Sequence, residues 1–542
     1  MRVSAQVRPR ASVARGARVT VATVLSVFAF LPTIARAQIQ SGTLVHLADG
    51  DVQGQVNGGT REFLGIPYAA PPVGPLRWSR PVPATPWVGT LDATHYSSAC
   101  PQLPAGAGTP SENEDCLYLN VWTPDPAPAA PKPVMIWIHG GGNLTGSTGD
   151  LVPFPGFEDA RFYDGHTLAG TRDVVIVTVN YRLGVFGFFG HSDLTAEDPG
   201  FPYAGNQGLL DQRAAMQWVQ NNIAAFGGDP NNVTIFGESA GSFDVCTHVV
   251  SPMSAGLFHR AISESGGCTV GILSDTESAA SADTLAATVG CDTAPDVLAC
   301  LRAVSVAQLL NADPPPPNDR VGNLRISVDG GFLPDQPRNL YTSGTFSHVP
   351  YILGSNFDEG TLFFIGAPEI TEEEYTATLF ARFGANAPAV EALYPAHRYG
   401  TPLDTLIRLT GDGTLVCSTY DVAQRVSEAK GRAYAYTFAR VPPLSFINLL
   451  DLGAFHGLEI GYVFGSATPP TLTDADLATA MQGYWSSFAT RGKPRLKGSP
   501  GWPRFKTKSW RMLGFGDEVT KDKAYKQAEC AFWRQLYETG SY

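Results

Sequence analysis

The chain has 542 residues and a formal charge of −12. It is 44% hydrophobic and 16% charged, a balance that fits a folded protein and excludes a disordered or fibrous one. The acidity speaks against a nucleic-acid partner and leaves no basic patch for a membrane surface.

The N-terminus predicts an export leader. Arg2, Arg8, Arg10, Arg15 and Arg18 form a basic segment, Val19 to Phe30 an apolar one, and Ala35-Arg36-Ala37 a small-residue cleavage site. The leader then covers residues 1–37, the mature chain starts at Gln38, and the protein is secreted or periplasmic. The apolar run is too short to span a bilayer, and no other run approaches that length. No twin-arginine pair is present, which points to a Sec-type route. Losing the leader removes six arginines and no acid, so −12 becomes −18. Eight cysteines in an exported chain predict disulfides. No C-x-x-C spacing occurs, so neither a zinc ribbon nor a thioredoxin-type site is expected.

Residues 38–60 alternate apolar and polar, as a hairpin does. The proline-rich run Gly65 to Pro72, followed by Arg77-Trp78, fits neither helix interior nor central strand. Pro104 to Pro110 reads as a loop. Val134 to Ile138 is a continuous apolar strand, buried on both faces. It runs into His139-Gly140-Gly141-Gly142-Asn143, where bare backbone amides can approach a ligand atom. The bland alternative is a flexible glycine loop. Val174 to Asn180 predicts a second buried strand, and Leu209 to Phe226 an amphipathic helix ended by Gly227-Gly228.

Val233 to Phe236 then has strand character. Gly237-Glu238-Ser239-Ala240-Gly241 follows, and Phe243, Cys246, Val249 and Val250 recur at helical spacing until Ser251-Pro252. G-x-S-x-G between a strand and a helix is a nucleophile elbow. The serine sits on a strained turn, so the positions two before and two after it must lack bulk. Ala261 to Gly266, Pro350 to Gly354 and Ala433 to Phe438 predict further strands, and Leu477 to Thr490 a helix. Residues 275–320 and 366–430 read as mainly helical insertions. This order predicts an α/β fold with a doubly wound, mostly parallel sheet and helical insertions over the site. One domain, 38–542, is expected after the leader.

Several motifs together resemble the type-B carboxylesterase/cholinesterase family. They are Glu114 to Asn120, Asn180 to Gly184, Gly205 to Arg213, Phe236 to Gly241, Asp358-Glu359-Gly360 and His456 to Ile460. The resemblance covers nearly all of residues 39–535 and implies an α/β-hydrolase serine esterase. It implies a triad of Ser239, His456 and Glu359, with oxyanion donors from Gly141, Gly142 and Ala240. Supporting places fall to Glu238, Ser265 and Glu459. Chemistry alone leaves Asp358 and Glu359 open as the acid; the family pattern selects Glu359. The family's disulfides map onto Cys100–Cys116, Cys291–Cys300 and Cys417–Cys530. Cys246 and Cys268 remain, as a further bridge or as two buried thiols.

The implied partner is a small-molecule ester, with no metal and no cofactor. Activity is expected to fall as His456 protonates, below its ordinary value of about 6.5. Cys100 to Cys116 holds no tryptophan, which speaks against choline esters. Asn143 stands where an apolar residue is frequent, so a more polar acyl side is expected. Asn143 to Asp159 is expected to line the mouth. The sequons at Asn143 and Asn232 read as chance matches. Within enzymes, a lipase or an esterase specialised for aromatic or polycarboxylic esters is the alternative. Outside them, a non-catalytic binding protein of the same fold is the rival.

Overall fold

A computed structural model describes residues 42–104, 108–153, 157, 159–312, 325–466, 469 and 471–539. The expected leader, residues 1–37, lies outside the described residues, as do Pro314 to Pro317 and parts of the 104–110 and 143–159 loops.

Among the described residues there are fourteen strands: β1 (Leu44–Leu47), β2 (Gly50–Gln53), β3 (Gln55–Asn57), β4 (Thr60–Pro67), β5 (Thr90–Asp92), β6 (Tyr118–Pro124), β7 (Lys132–Ile138), β8 (Val175–Val179), β9 (Gly228–Glu238), β10 (Arg260–Glu264), β11 (Tyr351–Asn356), β12 (Ala433–Phe438), β13 (Arg511–Phe515) and β14 (Val519–Lys523). Eleven of them form one sheet in the order β14-β13-β12-β11-β10-β9-β7-β8-β6-β4-β3, and β1, β2 and β5 form a small second sheet. From β8 through β7, β9, β10, β11 and β12 to β13 every pairing is parallel. The flanks β3-β4-β6-β8 and β13-β14 are antiparallel. Parallel pairing puts the carboxyl ends of β7, β9, β10 and β11 side by side, and the strand order switches direction between β7 and β9, where ligand sites form in such sheets.

The strands form where the chain is apolar on both faces. β7 carries Val134, Met135, Ile136, Trp137 and Ile138, all buried, and β8 is buried at all five positions. A core packs on each face. One holds Ile136, Val177, Ile235 and Val245, the other Trp137, Phe236, Phe464 and Trp485. The helix Gln207–Asn222 continues as a 3-10 turn to Phe226, and Gly227 ends it at φ 92°. The helix Ala240–Val250 follows β9, and every one of its residues is buried.

One expectation is corrected. β4 continues through Gly65 and Ile66 to Pro67, inside the proline-rich run. The register shifts between Phe63 and Ile66, Gly65 takes φ 72°, and Pro67 comes last in the strand. A bulge and a terminal proline are the places where these residues fit a strand. The stretch 275–312 forms three helices, Asp275–Thr288, Val297–Ala303 and Val306–Ala312, around their own apolar cluster with Trp78 and Phe186.

Four disulfides close the described cysteines: Cys100–Cys116, Cys246–Cys268, Cys291–Cys300 and Cys417–Cys530. Their sequence separations run from 9 for Cys291–Cys300 to 113 for Cys417–Cys530. Loop-closure entropy gives ~3 kcal/mol for a 15-residue loop and ~4.7 for a 100-residue loop. Replacing Cys417 and Cys530 by alanine is therefore expected to lower the urea midpoint more than replacing Cys291 and Cys300. Tryptophan fluorescence during urea unfolding measures this, and the reverse order would contradict it.

Candidate active site

Ser239 lies between the end of β9 and the helix Ala240–Val250, at φ 57° and ψ −126°. Non-glycine residues are rarely found there. Neighbouring backbone dictates the two glycines. A Cβ at Gly237 would lie 2.6 Å from both Gly241 O and Ile138 O, and one at Gly241 would lie 2.0 Å from Ile138 O. The turn is pinned by Ser239 N donating to Glu264 O at 2.9 Å and by Phe243 N donating to Ser239 O at 3.1 Å.

The glycine loop leaves the end of β7 and passes over this turn. A Cβ on Gly140 would meet Ser239 Cβ at 2.9 Å and Glu238 O at 2.8 Å. Gly141 takes φ 101° and Gly142 φ 66°, and a Cβ at Gly141 would meet Thr145 O at 2.0 Å. Among the described residues no acceptor is paired with the amides of Gly141, Gly142 or Ala240. His139, behind the loop, stacks on Tyr181 with ring centroids 4.4 Å apart, and Tyr181 Oη lies 2.7 Å from His139 O.

Glu359 follows β11 and His456 lies in the loop ahead of the short helix Ile460–Phe464. His456 Nδ1 meets Glu359 Oε2 at 2.6 Å, and Asn356 N donates to Glu359 Oε1 at 2.6 Å. The neighbouring acid is engaged elsewhere. Asp358 takes Arg408 at 2.6 Å and Ala454 N at 2.9 Å. On its other side His456 Nε2 lies 3.1 Å from Glu238 Oε1, beside Ser239. That contact is electrostatic rather than an aligned hydrogen bond, and Nε2 has no hydrogen-bond partner among the described residues.

Ser265, at φ 60°, donates to Glu459 Oε1 at 3.3 Å. Its tie to Glu359 is thus indirect, through Glu459 and Asn356, whose side-chain amide donates to Glu459 and to Phe455 O. Sequence reasoning passed over Glu264, which is fully buried beneath this cluster. It accepts from Trp485 Nε1 at 2.8 Å, and its Oε2 has no hydrogen-bond partner among the described residues. The only sequence signal was an acid at the end of an apolar strand.

Three buried carboxyls, Glu238, Glu359 and Glu459, thus act on one imidazole, and a fourth, Glu264, neighbours Glu238 and Glu459. Burial pushes Glu238 up, helped by Glu459 and Glu359, while His456 pulls it down. Burial, with Glu459 and Glu238 nearby, lifts Glu264 well above the carboxylate range. Burial and Glu359 push Glu459 up to about 7. For His456, burial favours the neutral ring, but Glu238 and Glu359 outweigh it and hold the imidazole above its ordinary range.

Asn143 departs from expectation. Its side chain is fully buried and faces Asp244 and Tyr181 rather than forming a polar acyl wall. The positive φ of 58° turns the residue back against the sheet.

No helix among the described residues is long and apolar enough to cross a membrane. Comparison with known proteins agrees with this architecture. Residues 41–533 match the carboxylesterase family. A fumonisin B1 esterase of Sphingopyxis macrogoltabida is 36% identical over 94% of this chain and 93% of its own. A medium-chain fatty acyl-CoA hydrolase precursor of Anas platyrhynchos is 36% identical over 90% of this chain and 91% of its own. An acetylcholinesterase of Bungarus fasciatus is 34% identical over 89% and 83%. The chain therefore belongs to the carboxylesterase family, shares its α/β-hydrolase fold, and is a carboxylic-ester hydrolase.

Proposed function

We propose that the protein is an exported serine esterase that works through an acyl-enzyme on Ser239. His456 Nε2 takes the Ser239 hydroxyl proton as the oxygen attacks the ester carbonyl. The amides of Gly141, Gly142 and Ala240 receive the developing oxyanion; losing one such donor typically costs ~10²–10³ in rate. The intermediate collapses, and the alkoxide leaves with the proton from His456. Water, activated by the same nitrogen, then releases the acid and restores the serine. Glu359 fixes the ring with its Nδ1–H toward the carboxylate and stabilises the imidazolium. The observation that carries this reading is the 2.6 Å bond from His456 Nδ1 to Glu359, with Nε2 left unpartnered beside the elbow.

Broad carboxylic-ester hydrolysis is the reading we favour. A bulky, specialised ester is the second reading, supported by the likeness to the fumonisin B1 esterase over nearly the whole chain. Choline esters are disfavoured by the tryptophan-free Cys100–Cys116 loop. A panel including p-nitrophenyl esters, acetylcholine and fumonisin B1 separates these readings by kcat/KM.

Two outcomes test the mechanism. Ser239→Ala should abolish p-nitrophenyl ester turnover and fluorophosphonate labelling while keeping the folded circular dichroism spectrum; unchanged turnover would contradict it. The pH dependence follows from His456. The base must be neutral, and Glu238, Glu359 and Glu459 raise its pKa, so the acid limb of kcat/KM should lie above the ~6.5 of an ordinary histidine. Removing one of those charges in Glu238→Gln should move the limb to lower pH. A wild-type limb at or below ~6.5, or one that Glu238→Gln leaves in place, would contradict this assignment.

A further inference from the structure

Asn143 closes the glycine loop, and its backbone O accepts from Gly184 N at 2.6 Å. Its side-chain amide spans two groups. Nδ2 lies 3.1 Å from Asp244 Oδ1, and Oδ1 lies 3.1 Å from Tyr181 Oη. Asp244 stands in the first turns of the nucleophile helix, and Asn143, Tyr181 and Asp244 are each fully buried. The second oxygen of Asp244 accepts from Gln212 Nε2 at 2.6 Å. Gln212 Oε1 meets His248 Nε2 at 2.8 Å, and His248 Nδ1 meets Ser254 Oγ at 2.8 Å.

The hydrogens shared along these contacts favour one orientation of the Asn143 amide. With the amide nitrogen toward Asp244, the single phenolic hydrogen of Tyr181 must serve two acceptors, His139 O and Asn143 Oδ1. A bare carboxylate is also left buried with no cation paired to it among the described residues. Arg182, the nearest arginine in sequence to Tyr181, is held by both oxygens of Asp211, and Arg213 donates to Met253 O. His248 does not supply the charge. Burial, with Arg213 nearby, lowers it to about 3. His139 is lowered by burial as well.

The two ends of an amide have nearly the same shape, so the hydrogen-bond network decides their orientation. Turning the Asn143 amide over removes both conflicts. Tyr181 donates to His139 O, and Asn143 donates to the phenol oxygen. The Asn143 carbonyl then faces Asp244, which must bring a proton of its own. Gln212 donates to the remaining Asp244 oxygen. Burial pushes Asp244 up to about 7 even against the donors Gln212 and Asn143, in line with a proton held there.

We propose that Asp244 is a neutral acid that clamps Asn143, and through it the oxyanion loop, onto the nucleophile helix. This rests on the serine-esterase reading above. Asp244 is a positioning residue. It touches no substrate, but it fixes the loop carrying the amides of Gly142 and Gly141, one and two residues from Asn143. A displaced donor lowers kcat more than it changes KM.

The test uses the full-length chain and the variants Asn143→Ala, Asp244→Ala and Asp244→Asn, read by p-nitrophenyl ester kinetics and by the rate of fluorophosphonate labelling. Asparagine at 244 imitates the protonated acid. Its NH2 can donate to the turned Asn143 carbonyl, and its oxygen can accept from Gln212. Asp244→Asn should retain kcat within about threefold, while Asp244→Ala and Asn143→Ala should lose about tenfold or more with KM nearly unchanged. Wild type should lose kcat at alkaline pH as Asp244 ionises, and Asp244→Asn should lack that loss. Asp244→Asn falling as far as Asp244→Ala would overturn the neutral acid. Asn143→Ala keeping wild-type kcat would overturn the clamp. Should Asp244→Ala not fold, these two variants decide alone. Wild type failing to take the fluorophosphonate would sink the serine-esterase reading instead, so the two failures are distinct.

Discussion

The site depends on one backbone constraint, the left-handed conformation of Ser239. A non-glycine residue held at φ 57° and ψ −126° costs ~1–3 kcal/mol and persists only where the surroundings over-determine it. They do so here from three sides. Ile138 O at the end of β7 lies where a side chain at Gly237 or Gly241 would go. Glu264 O holds the serine amide from β10. Ser242 Oγ donates to Gly266 O, and Cys246–Cys268 ties the nucleophile helix to the segment after β10. The parallel register that pairs Ile138 with Gly237, and Glu238 with Glu264, brings these groups level.

The same register gathers acids. Glu238 and Glu264 end neighbouring strands, Glu359 follows the next, and Glu459 comes from beyond His456. In a dry site a charge survives only where donors meet it. Glu359 has one on each oxygen, Asn356 N and His456 Nδ1. Glu264 has one in all, from Trp485, and burial drives it toward the neutral form. The cluster therefore concentrates its negative charge beside the imidazole. The positive ring that the proposed mechanism forms during turnover would meet an environment already arranged for it, with no solvent to reorganise.

Most of the frame was legible in the sequence because the residues at issue act through backbone or burial. The strands β7, β8 and β9 are apolar runs that only a two-sided core explains. Asn180 to Gly184 reads as a motif, and four of its five positions make a polar contact. Asn180 Oδ1 accepts from Thr148 N, Tyr181 reaches His139 O, Arg182 pairs with Asp211, and Gly184 N donates to Asn143 O. What stayed hidden depends on side-chain direction. Asn143 looked like a polar wall because nothing in its identity reveals a φ of 58°. Asp244 was one polar residue in a helix without an exposed face. β6 and the tail of β4 were missed because a bulge and a proline break the alternation by which strands are recognised.

The proposed mechanism assigns the chemistry to groups held by the sheet and leaves the flank beside His456 to face the substrate. In the proposed mechanism the nucleophile, the oxyanion amides and the acid follow the ends of β7, β9 and β11, where spacing is set by the sheet, and the base comes from the loop ahead of the helix Ile460–Phe464. The flank of His456 is different. Phe363 packs 5.1 Å from its ring, and Phe455 joins Ile447 and Leu452 in a small apolar cluster with Leu362 beside it. Close by in sequence, Leu449 is 84% exposed and Ile365 49% exposed. Loops that carry their own small core can change without disturbing the sheet, because few backbone pairings constrain them. On the proposed mechanism, a buried polar network on one side and a separately packed apolar flank on the other would let the ester change while the attack geometry stays fixed. Relatives of similar identity that carry the names of a fumonisin B1 esterase, an acyl-CoA hydrolase and an acetylcholinesterase fit that division.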